Sequence, residues 1–518
     1  MRLSVSSDKL ICAPWRLPKQ LRRPVRASVP HLGGPKKPPG GHLTNIFRPH
    51  FRPARTQAFG TGRASGRIRM SRAAGACTIV AGLILLPLPA HADKPLMLDA
   101  RLSQQVMKAG ETQRNFLRVV VGGCERQSTN RTPVNVAFVI DRSGSMQGTR
   151  IAQAREAAIV ALRRLNQDDI AAVVIFDDHI DTLVPAQKVT DHALFADRIH
   201  RVGPRGSTAI HSGVMQGASE VRTHKDNRRL NRVVLLSDGL ANVGPRSPAE
   251  FETLGRALLA EGISVSTIGL GLGYNEDLML KLARASDGNH AFAGEATDLI
   301  QIFNREFNDV LSSCAQMVSI DVEMRPGIRV VRALSRDGNV EGQRATFRMN
   351  QVYQATEHYV LQEVEIDKAI AEADKEDSKD LGRVRVAYTS PQDGSRHTLD
   401  SNIRGAFSAS ASAVSASRDV RVLESVVEQS TRERTTVAIK LRDQGKVEEA
   451  QALFRQNHAE VTAYMTAVVK PSERMQQLMT EYGAIANAPA AAAPAAWNRQ
   501  RKMLREMDAA QAGASVRY

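Results

Sequence analysis

From Pro133 to about Ser313, short apolar runs rich in β-branched residues alternate with segments that carry apolar residues at helical spacing. The apolar runs are VNVAFVID, IAAVVIFD, RVVLLSD and ISVSTIGLG, with HAFAG as a shorter edge run. They lack the apolar and polar alternation of a strand with one wet face, so both faces are expected to be buried. Strands that alternate with helices are typical of βαβ units. The pattern predicts an α/β fold, doubly wound, with a mostly parallel sheet covered by helices on both sides.

The segments on either side of this region have the pattern of β-structure. Residues 93–131 contain LMLDARLSQQVMKAGE and NFLRVVVGG, and residues 314–409 contain VSIDVEMRPGIRVVRAL and RVRVAYTS. Neither flank has enough strands for a stable sheet with its own core. We therefore expect the flanks to pair in one β-sandwich, with residues 132–313 inserted between them as the α/β unit. Two separate small β units are the alternative.

The last part of the chain is predicted to be helical. In residues 410–483, Val420, Leu423 and Val427 share one helical face, and LRDQGKVEEAQALF indicates a helical hairpin around Gly445. Residues 484–518 consist of an Ala/Pro-rich linker, NAPAAAAPAA, followed by a short basic helix at RQRKMLREM.

Charge is distributed unevenly along the chain. The 518 residues carry a formal net charge of +16, but residues 1–92 alone contain 16 Lys or Arg and one acid, Asp8. The remaining residues are nearly neutral, and the 42% hydrophobic content suits globular domains. A basic surface on the folded part is therefore not indicated, and we expect no nucleic-acid partner.

The basic front ends in a hydrophobic segment. Met70 and Arg72 precede AAGACTIVAGLILLPLP, and an A-x-A motif ending at Ala92 follows it. This order is typical of a secretory signal peptide, and the apolar run is shorter than the ~20 residues of a spanning helix. We predict a basic disordered extension or a misassigned start at 1–69, a signal peptide at 70–92, and an exported protein, periplasmic or extracellular, without a transmembrane anchor after cleavage.

Two cysteines, Cys124 and Cys314, lie beyond the predicted cleavage point. Disulfides persist in exported proteins, so this pair is a candidate disulfide. Two separate buried thiols are the alternative, because sequence spacing does not fix connectivity.

Side chains that carry oxygen cluster at the carboxyl ends of the predicted strands. Asp141 ends the first strand and is followed by Ser143 and Ser145, Thr208 lies in the Gly-rich loop RGSTAIHSG, and Asp238 ends RVVLLSD. Ligands of open α/β sheets bind beyond these strand ends. An oxygen-only set suits Mg²⁺, and the lack of thiolates argues against zinc. Alone, the Asp-Arg-Ser-Gly-Ser stretch would be an ordinary turn.

Together the five positions resemble the metal-ion-dependent adhesion site (MIDAS) of von Willebrand factor type A (VWA) domains, and the resemblance covers the whole α/β unit. It implies a Rossmann-like VWA domain in which Ser143, Ser145 and Thr208 coordinate Mg²⁺, or Mn²⁺ or Ca²⁺ in its place. Asp141 and Asp238 would contribute directly or through water. The resemblance further implies that a protein partner offers an Asp or Glu carboxylate to the ion, because neutral hydroxyl ligands leave it positively charged.

We therefore expect an exported, non-enzymatic VWA-domain protein that binds a protein partner through a Mg²⁺-dependent site. The alternative is a cell-envelope assembly or maturation factor in which the helical region makes the main contacts and the metal is structural. A hydrolase would need a general base near the ion, which the sequence does not supply.

A second oxygen-rich group follows the second predicted strand. Asp177, Asp178, His179 and Asp181 have the composition of a metal site, but a solvated loop is the favoured interpretation. Arg142, between the candidate metal ligands, is expected to point away from the ion.

Overall fold

The computed structural model describes residues 96–124, 131–373, 379–488, 494–512 and 515–517. The predicted N-terminal extension and signal peptide, residues 1–92, lie outside these residues. Within the described ranges, no helix combines the length and the apolar content that crossing a bilayer requires.

Three strands precede the α/β unit: β1 (Met97–Leu102), β2 (Val106–Lys108) and β3 (Gln113–Gly122). The strands β1 and β3 form an antiparallel pair, which runs from Met97 opposite Gly122 to Leu102 opposite Leu117. Most of β3 is buried, in keeping with its run of apolar residues.

The α/β unit has one sheet of six strands. Its strands are β4 (Val134–Asp141), β5 (Ile170–Phe176), β6 (Ile180–Lys188), β7 (Leu230–Ser237), β8 (Ile263–Leu270) and β9 (His290–Ala293). Its helices are α1 (Thr149–Leu162), α2 (His192–His200), α3 (Ile210–Thr223), α4 (Pro248–Ala260), α5 (Glu276–Ala285) and α6 (Leu299–Leu311). The strand order is β6-β5-β4-β7-β8-β9, and every neighbouring pair is parallel except β5 with β6.

Helices cover both faces of this sheet. All residues of β4, β5, β7 and β8 are buried, which explains why their sequences are continuously apolar. One core includes side chains of α1, α2 and α6, and a second core on the other face includes side chains of α3, α4 and α5. The predicted doubly wound, mostly parallel α/β fold is confirmed. The antiparallel edge strand β6 was not predicted, because it is only half-buried and has no continuous apolar run.

A second set of strands follows the α/β unit. These are β10 (Ser313–Met324), β11 (Ile328–Ala333), β12 (Gly338–Glu341), β13 (Arg344–Tyr353), β14 (Thr356–Ile366), β15 (Lys379–Thr389) and β16 (Arg396–Ser408), with the short helix α7 (Lys368–Ala373) after β14. One sheet contains β1-β3-β14-β11 and another contains β12-β13-β10-β15-β16-β2.

Strands from the two flanks of the α/β unit pair with each other. The ten residues of β3 lie antiparallel to β14, from Gln113 opposite Ile366 to Gly122 opposite Glu357. On the other sheet, β2 pairs in parallel with β16. A single apolar core, with side chains from both flanks, lies between the two sheets. We call this two-sheet structure the framework.

The C-terminal region is helical, as predicted. It consists of α8 (Ala411–Ala416), α9 (Val420–Asp443), α10 (Val447–Ala467), α11 (Glu473–Asn487) and α12 (Pro494–Ala512), after which β17 (Ser515–Arg517) pairs with β14. Gly445 turns the chain between α9 and α10 with φ 82°, a left-handed conformation that glycine adopts without steric cost. The hairpin predicted around Gly445 is therefore present.

Helix α12 is longer than the predicted basic helix and packs against the α/β unit. Lys502, only 2% exposed, lies 2.6 Å from Oε2 of Glu276 and donates to the carbonyl oxygen of Tyr274 at 2.9 Å. Arg501 and Arg505 contact Asp277 at 2.5 and 2.8 Å. Three basic side chains thus meet two carboxylates on the first turn of α5, where negative charge is also favoured by the helix dipole.

Arg232 joins the α/β unit to the framework. Its fully buried guanidinium contacts Glu306 of α6 and donates to Gln351 of β13 at 2.6 Å and to the Tyr353 hydroxyl at 3.0 Å. Burial alone would raise the pKa of Glu306, but Arg232 together with hydrogen bonds from Ser266 and other donors holds that pKa below its usual value. The pair remains ionised and ties two parts of the chain together.

We predict that Arg232→Met destabilises the protein by about 3–5 kcal/mol, because it leaves the Glu306 carboxylate buried without its cation. Urea unfolding followed by circular dichroism measures the change. Arg201→Met is the matched control, since Arg201 forms an exposed pair with Asp197 on α2. We expect it to change stability by less than about 1 kcal/mol. Equal effects of the two substitutions would contradict the role given to Arg232.

Cys124 and Cys314 meet where the chain passes between the framework and the α/β unit. The amide nitrogen of Cys124 lies 3.0 Å from Sγ of Cys314, although the two sulfurs are not bonded in the structure. A hydrogen bond with Cys124, together with burial, raises the pKa of the Cys314 thiol. We propose that the pair becomes a disulfide in an oxidising compartment.

Under this proposal, Cys314→Ser lowers the free energy of unfolding by on the order of 5 kcal/mol, since the bridge closes a loop spanning 190 positions. Reduction of the wild-type protein with dithiothreitol should reproduce the loss, and the variant should not respond to the reductant. Peptide mapping without reduction should recover a linked Cys124–Cys314 peptide. Alkylation of both thiols in the unreduced exported protein would show that the bridge does not form.

Candidate metal centre

Strand β4 delivers Asp141 to the carboxyl edge of the sheet. The side chain is fully buried, and its two oxygens accept hydrogen bonds from the Ser143 amide at 2.7 Å and from the Ser237 hydroxyl at 2.5 Å. Burial raises the pKa of Asp141 to about 6, and these hydrogen bonds limit the rise. The carboxylate is therefore held in one orientation by neutral donors.

Ser143 and Ser145 lie in the turn that follows. A short 3₁₀ helix, Gly144–Met146, separates β4 from α1, and the buried side chain of Met146 anchors it. The two hydroxyl oxygens are 3.0 Å apart, with Ser143 buried and Ser145 exposed. Ser145 is therefore the member of the group that borders on solvent.

Asp238 directly follows β7. Because β4 and β7 are neighbours in the sheet, the ends of these two strands lie side by side. Its buried carboxylate accepts from the Ser145 hydroxyl at 2.7 Å and, on the other oxygen, from the Arg150 guanidinium at 2.7 Å. The segment after β4, which holds Ser145, and the segment after β7, which holds Asp238, are thus in direct contact.

Thr208 completes the group from the loop before α3. Its amide donates to the Asn242 side chain at 2.7 Å, and its carbonyl oxygen accepts from the backbone of Asn242 at 3.1 Å. A Cβ atom added to Gly239 would lie 3.1 Å from Oγ1 of Thr208 and 3.5 Å from Oγ of Ser145. Both hydroxyls therefore lie close to Gly239, which has no side chain to fill the space beside them.

The structure brings all five predicted residues to one place. They supply two carboxylates and three hydroxyls, all of them hard oxygen donors: Asp141, Ser143, Ser145, Thr208 and Asp238. Such a set fits Mg²⁺, which takes oxygen ligands and keeps several waters. No thiolate or imidazole is part of the group, so its chemistry does not suit zinc.

Asp177, predicted to lie in a solvated loop, is instead a buried anchor. It is fully buried and contacts Arg142 at 2.8 Å and Arg205 at 2.7 Å. Burial alone would raise the pKa of Asp177, but Arg205, the His179 amide and Arg142 hold it below its usual value. Asp177, Asp178 and His179 are close enough to share an ion, yet the Asp177 oxygens are already engaged. Arg142 points away from the metal residues, as expected.

Asp177 also fixes the two loops that hold the candidate metal ligands relative to each other. Arg142 comes from the loop after β4 and Arg205 from the loop that holds Thr208. The same loops are joined by backbone hydrogen bonds, from Arg205 to the Arg142 carbonyl at 2.7 Å and from Gly144 to the Gly206 carbonyl at 3.1 Å. The hydroxyls of both loops are therefore positioned by the protein.

The glycines after β8 form a turn beside Asp238. Gly271 has φ 69°, and a Cβ added to Gly273 would lie only 2.9 Å from the Asp238 carbonyl oxygen. The positive φ of Gly271 and the close backbone approach at Gly273 explain why this turn is rich in glycine.

Sequence reasoning missed several residues that support the site: Ser237, Arg150 and Asn242. Ser237 precedes Asp238 and bonds Asp141, so its position next to a predicted ligand was the available signal. Arg150, in the first turn of α1, and Asn242 act through contacts between segments far apart in sequence, which the local sequence pattern does not indicate.

The family model described as von Willebrand factor type A domain matches residues 135–305. An uncharacterized protein of Synechocystis is 24% identical over 352 residues, covering 66% of this chain and 82% of that protein. The uncharacterized protein YfbK of Escherichia coli is 26% identical over 216 residues, or 41% of this chain and 38% of YfbK. Human inter-alpha-trypsin inhibitor heavy chain H3 is 28% identical over 172 residues, but the match spans only 19% of its length.

Two solved structures share the fold over most of the chain. A von Willebrand factor type A protein from Catenulispora acidiphila has a TM-score of 0.63 at 16% identity, covering 81% of this chain and 97% of that one. The ArnB paralog VWA2 from Sulfolobus acidocaldarius has a TM-score of 0.54 at 15% identity, covering 82% and 100%. These coverages extend well beyond residues 135–305, into the framework and the helical region. The chain is a von Willebrand factor type A domain-containing protein.

Proposed function

We propose that this protein, after export, binds a protein partner through a Mg²⁺-dependent site and catalyses no reaction. The observation that carries the proposal is the oxygen-only group at the sheet edge, in which four residues are buried and Ser145 is exposed. VWA domains are protein-interaction modules, which supports a binding role.

The five residues of the group would hold the ion. Ser143, Ser145 and Thr208 offer neutral oxygens, so a Mg²⁺ bound mainly by them would keep part of its positive charge and attract an anion. Mn²⁺ would suit the same ligands, and Ca²⁺ would require more oxygens at longer distances. An Asp or Glu side chain of the partner is the anion we propose.

Exposed apolar side chains lie in the loops next to the site. Leu240 and Val243, in the loop after Asp238, are 57% and 36% exposed, and Leu272, in the turn beside Asp238, is 36% exposed. A contact surface that is apolar around a polar centre is common at protein interfaces. The partner is therefore proposed to present its acidic residue among apolar neighbours.

We predict that Mg²⁺ stabilises the wild-type protein and not the Asp141→Ala variant. At free Mg²⁺ a hundredfold above Kd, linkage gives about 2.7 kcal/mol of added stability. Isothermal titration calorimetry and thermal unfolding, each with Mg²⁺ and with EDTA, measure binding and stabilisation. Because removing a buried carboxylate alters stability by itself, the difference between the two conditions is compared. Asp197→Asn, exposed on α2, is the control and should retain the full response. Mg²⁺ binding that survives in Asp141→Ala would overturn the proposed site.

The second candidate function is a cell-envelope assembly factor that uses its helical region. It is favoured by apolar side chains exposed on that region, Val437 at 49% and Met503 at 58%. Crosslinked partners would then be lost in Val437→Asp or Met503→Glu and kept in Asp141→Ala. The opposite pattern would support binding through the metal site. These point variants leave the packed face of α12 in place, which deletion of the region would not.

A further inference from the structure

Arg150 forms an ion pair with the carboxylate of Asp238. It is in the first turn of α1, and its Nη1 donates to Oδ2 of Asp238 at 2.7 Å and to the Ser145 carbonyl oxygen at 3.1 Å. The Asp238 side chain has no exposed surface, whereas the Arg150 side chain is 42% exposed. The guanidinium therefore reaches the carboxylate from the solvent side and covers it.

The two carboxylates of the site are stabilised in different ways. Asp141 accepts hydrogen bonds from the Ser143 amide and the Ser237 hydroxyl, both neutral groups. Asp238 has the Ser145 hydroxyl on one oxygen and the Arg150 cation on the other. A buried carboxylate is costly without a counter-charge, and Arg150 supplies one to Asp238.

A divalent cation coordinated directly by Asp238 would need the same position. Both oxygens of Asp238 are engaged, and the Ser145 hydroxyl that contacts one of them is itself a proposed metal ligand. An ion held by Ser145 and Asp238 would stand beside the guanidinium, and two cations repel strongly where water is largely excluded. We propose that Arg150 and the divalent cation compete for Asp238, so that metal binding releases Arg150. This inference rests on the proposed function.

The surroundings leave room for the release. Helix α1 starts after Gly148, which has φ 83°, and the guanidinium lies next to Gly271, where an added Cβ would be 3.5 Å from Nη2. No side chain at Gly271 confines Arg150. Once released, the guanidinium would stand on the same face as the ion and Leu272.

The exchange specifies how a partner carboxylate would bind. One of its oxygens would complete the coordination of the ion, and the other would accept a charge-assisted hydrogen bond from Arg150. While Arg150 is paired with Asp238, its charge is neutralised within the site and the face attracts a carboxylate less strongly. Metal loading thus adds two positive centres to this face, the ion and the guanidinium.

The competition is tested by titrating Mg²⁺ into wild-type protein and into Arg150→Met, Arg150→Lys and Arg201→Met. Arg150→Met keeps an apolar stem and removes the charge, so we expect about tenfold tighter Mg²⁺ binding. Arg150→Lys keeps a cation and should bind more weakly than Arg150→Met. Arg201→Met, which removes a charge at the C-terminal end of α2, should match wild type. In EDTA, Arg150→Met should also have a lower Tm than wild type, because Asp238 has lost its counter-charge. Addition of Mg²⁺ should raise the Tm of Arg150→Met by more than it raises the Tm of wild type.

Equal or weaker Mg²⁺ binding by Arg150→Met would overturn the competition. If wild type and this variant bind equally and Asp141→Ala does not bind, the proposed metal site stands and only the exchange is wrong. If none of the proteins binds Mg²⁺, both the site and the exchange are wrong. Should Arg150→Met fail to fold in EDTA, Arg150→Gln, which keeps a hydrogen-bond donor, takes its place with the same expected direction.

Discussion

The antiparallel pairing of β3 with β14 is the constraint on which the rest of the architecture depends. It joins Gln113–Gly122 to residues that follow the whole α/β unit, so the chain must leave the framework and return to it at adjacent points. The contact between Cys124 and Cys314 and the hydrogen bond from Thr132 to the Ser313 carbonyl both lie at that place. Arg232 then fixes the inserted unit against β13. The α/β unit is consequently held by a buried polar contact as well as by its two connections.

The site at the far end of β4 and β7 is arranged before any partner arrives. Asp177 draws Arg142 and Arg205 together, and with them the loops that hold Ser143, Ser145 and Thr208. Backbone hydrogen bonds between the same loops reinforce this arrangement. A preformed group of oxygens loses little conformational entropy when it takes up a ligand, which favours tight binding by small contacts.

Much of the α/β unit could be predicted because the sequence patterns that specify its strands and helices are local. Buried parallel strands have continuous apolar sequences, and their carboxyl ends fall at one edge, so Asp141 and Asp238 could be placed together without coordinates. Strand β6 was missed because a half-exposed edge strand has no such run. The packing of α12 was missed because Lys502 appears in sequence as one more solvated charge, and its partner Glu276 lies 226 positions away. Arg150 was missed for the same reason: an ion pair between a helix and a distant loop leaves no periodic signal.

The order in which contacts can form follows from the pairing of β3 with β14. Arg118 of β3 contacts Glu357 of β14, 239 positions later in the chain. One edge of β3 therefore cannot pair with β14 until the entire α/β unit has been synthesised. Residues 134–311 are contiguous and contain both faces of their own core, so that unit can fold first. Until then, one edge of the apolar strand β3 is paired with β1, and its other edge is unpaired. Folding of this protein therefore includes an interval in which β3 is open to pairing with other chains, and the interval ends when β14 is added.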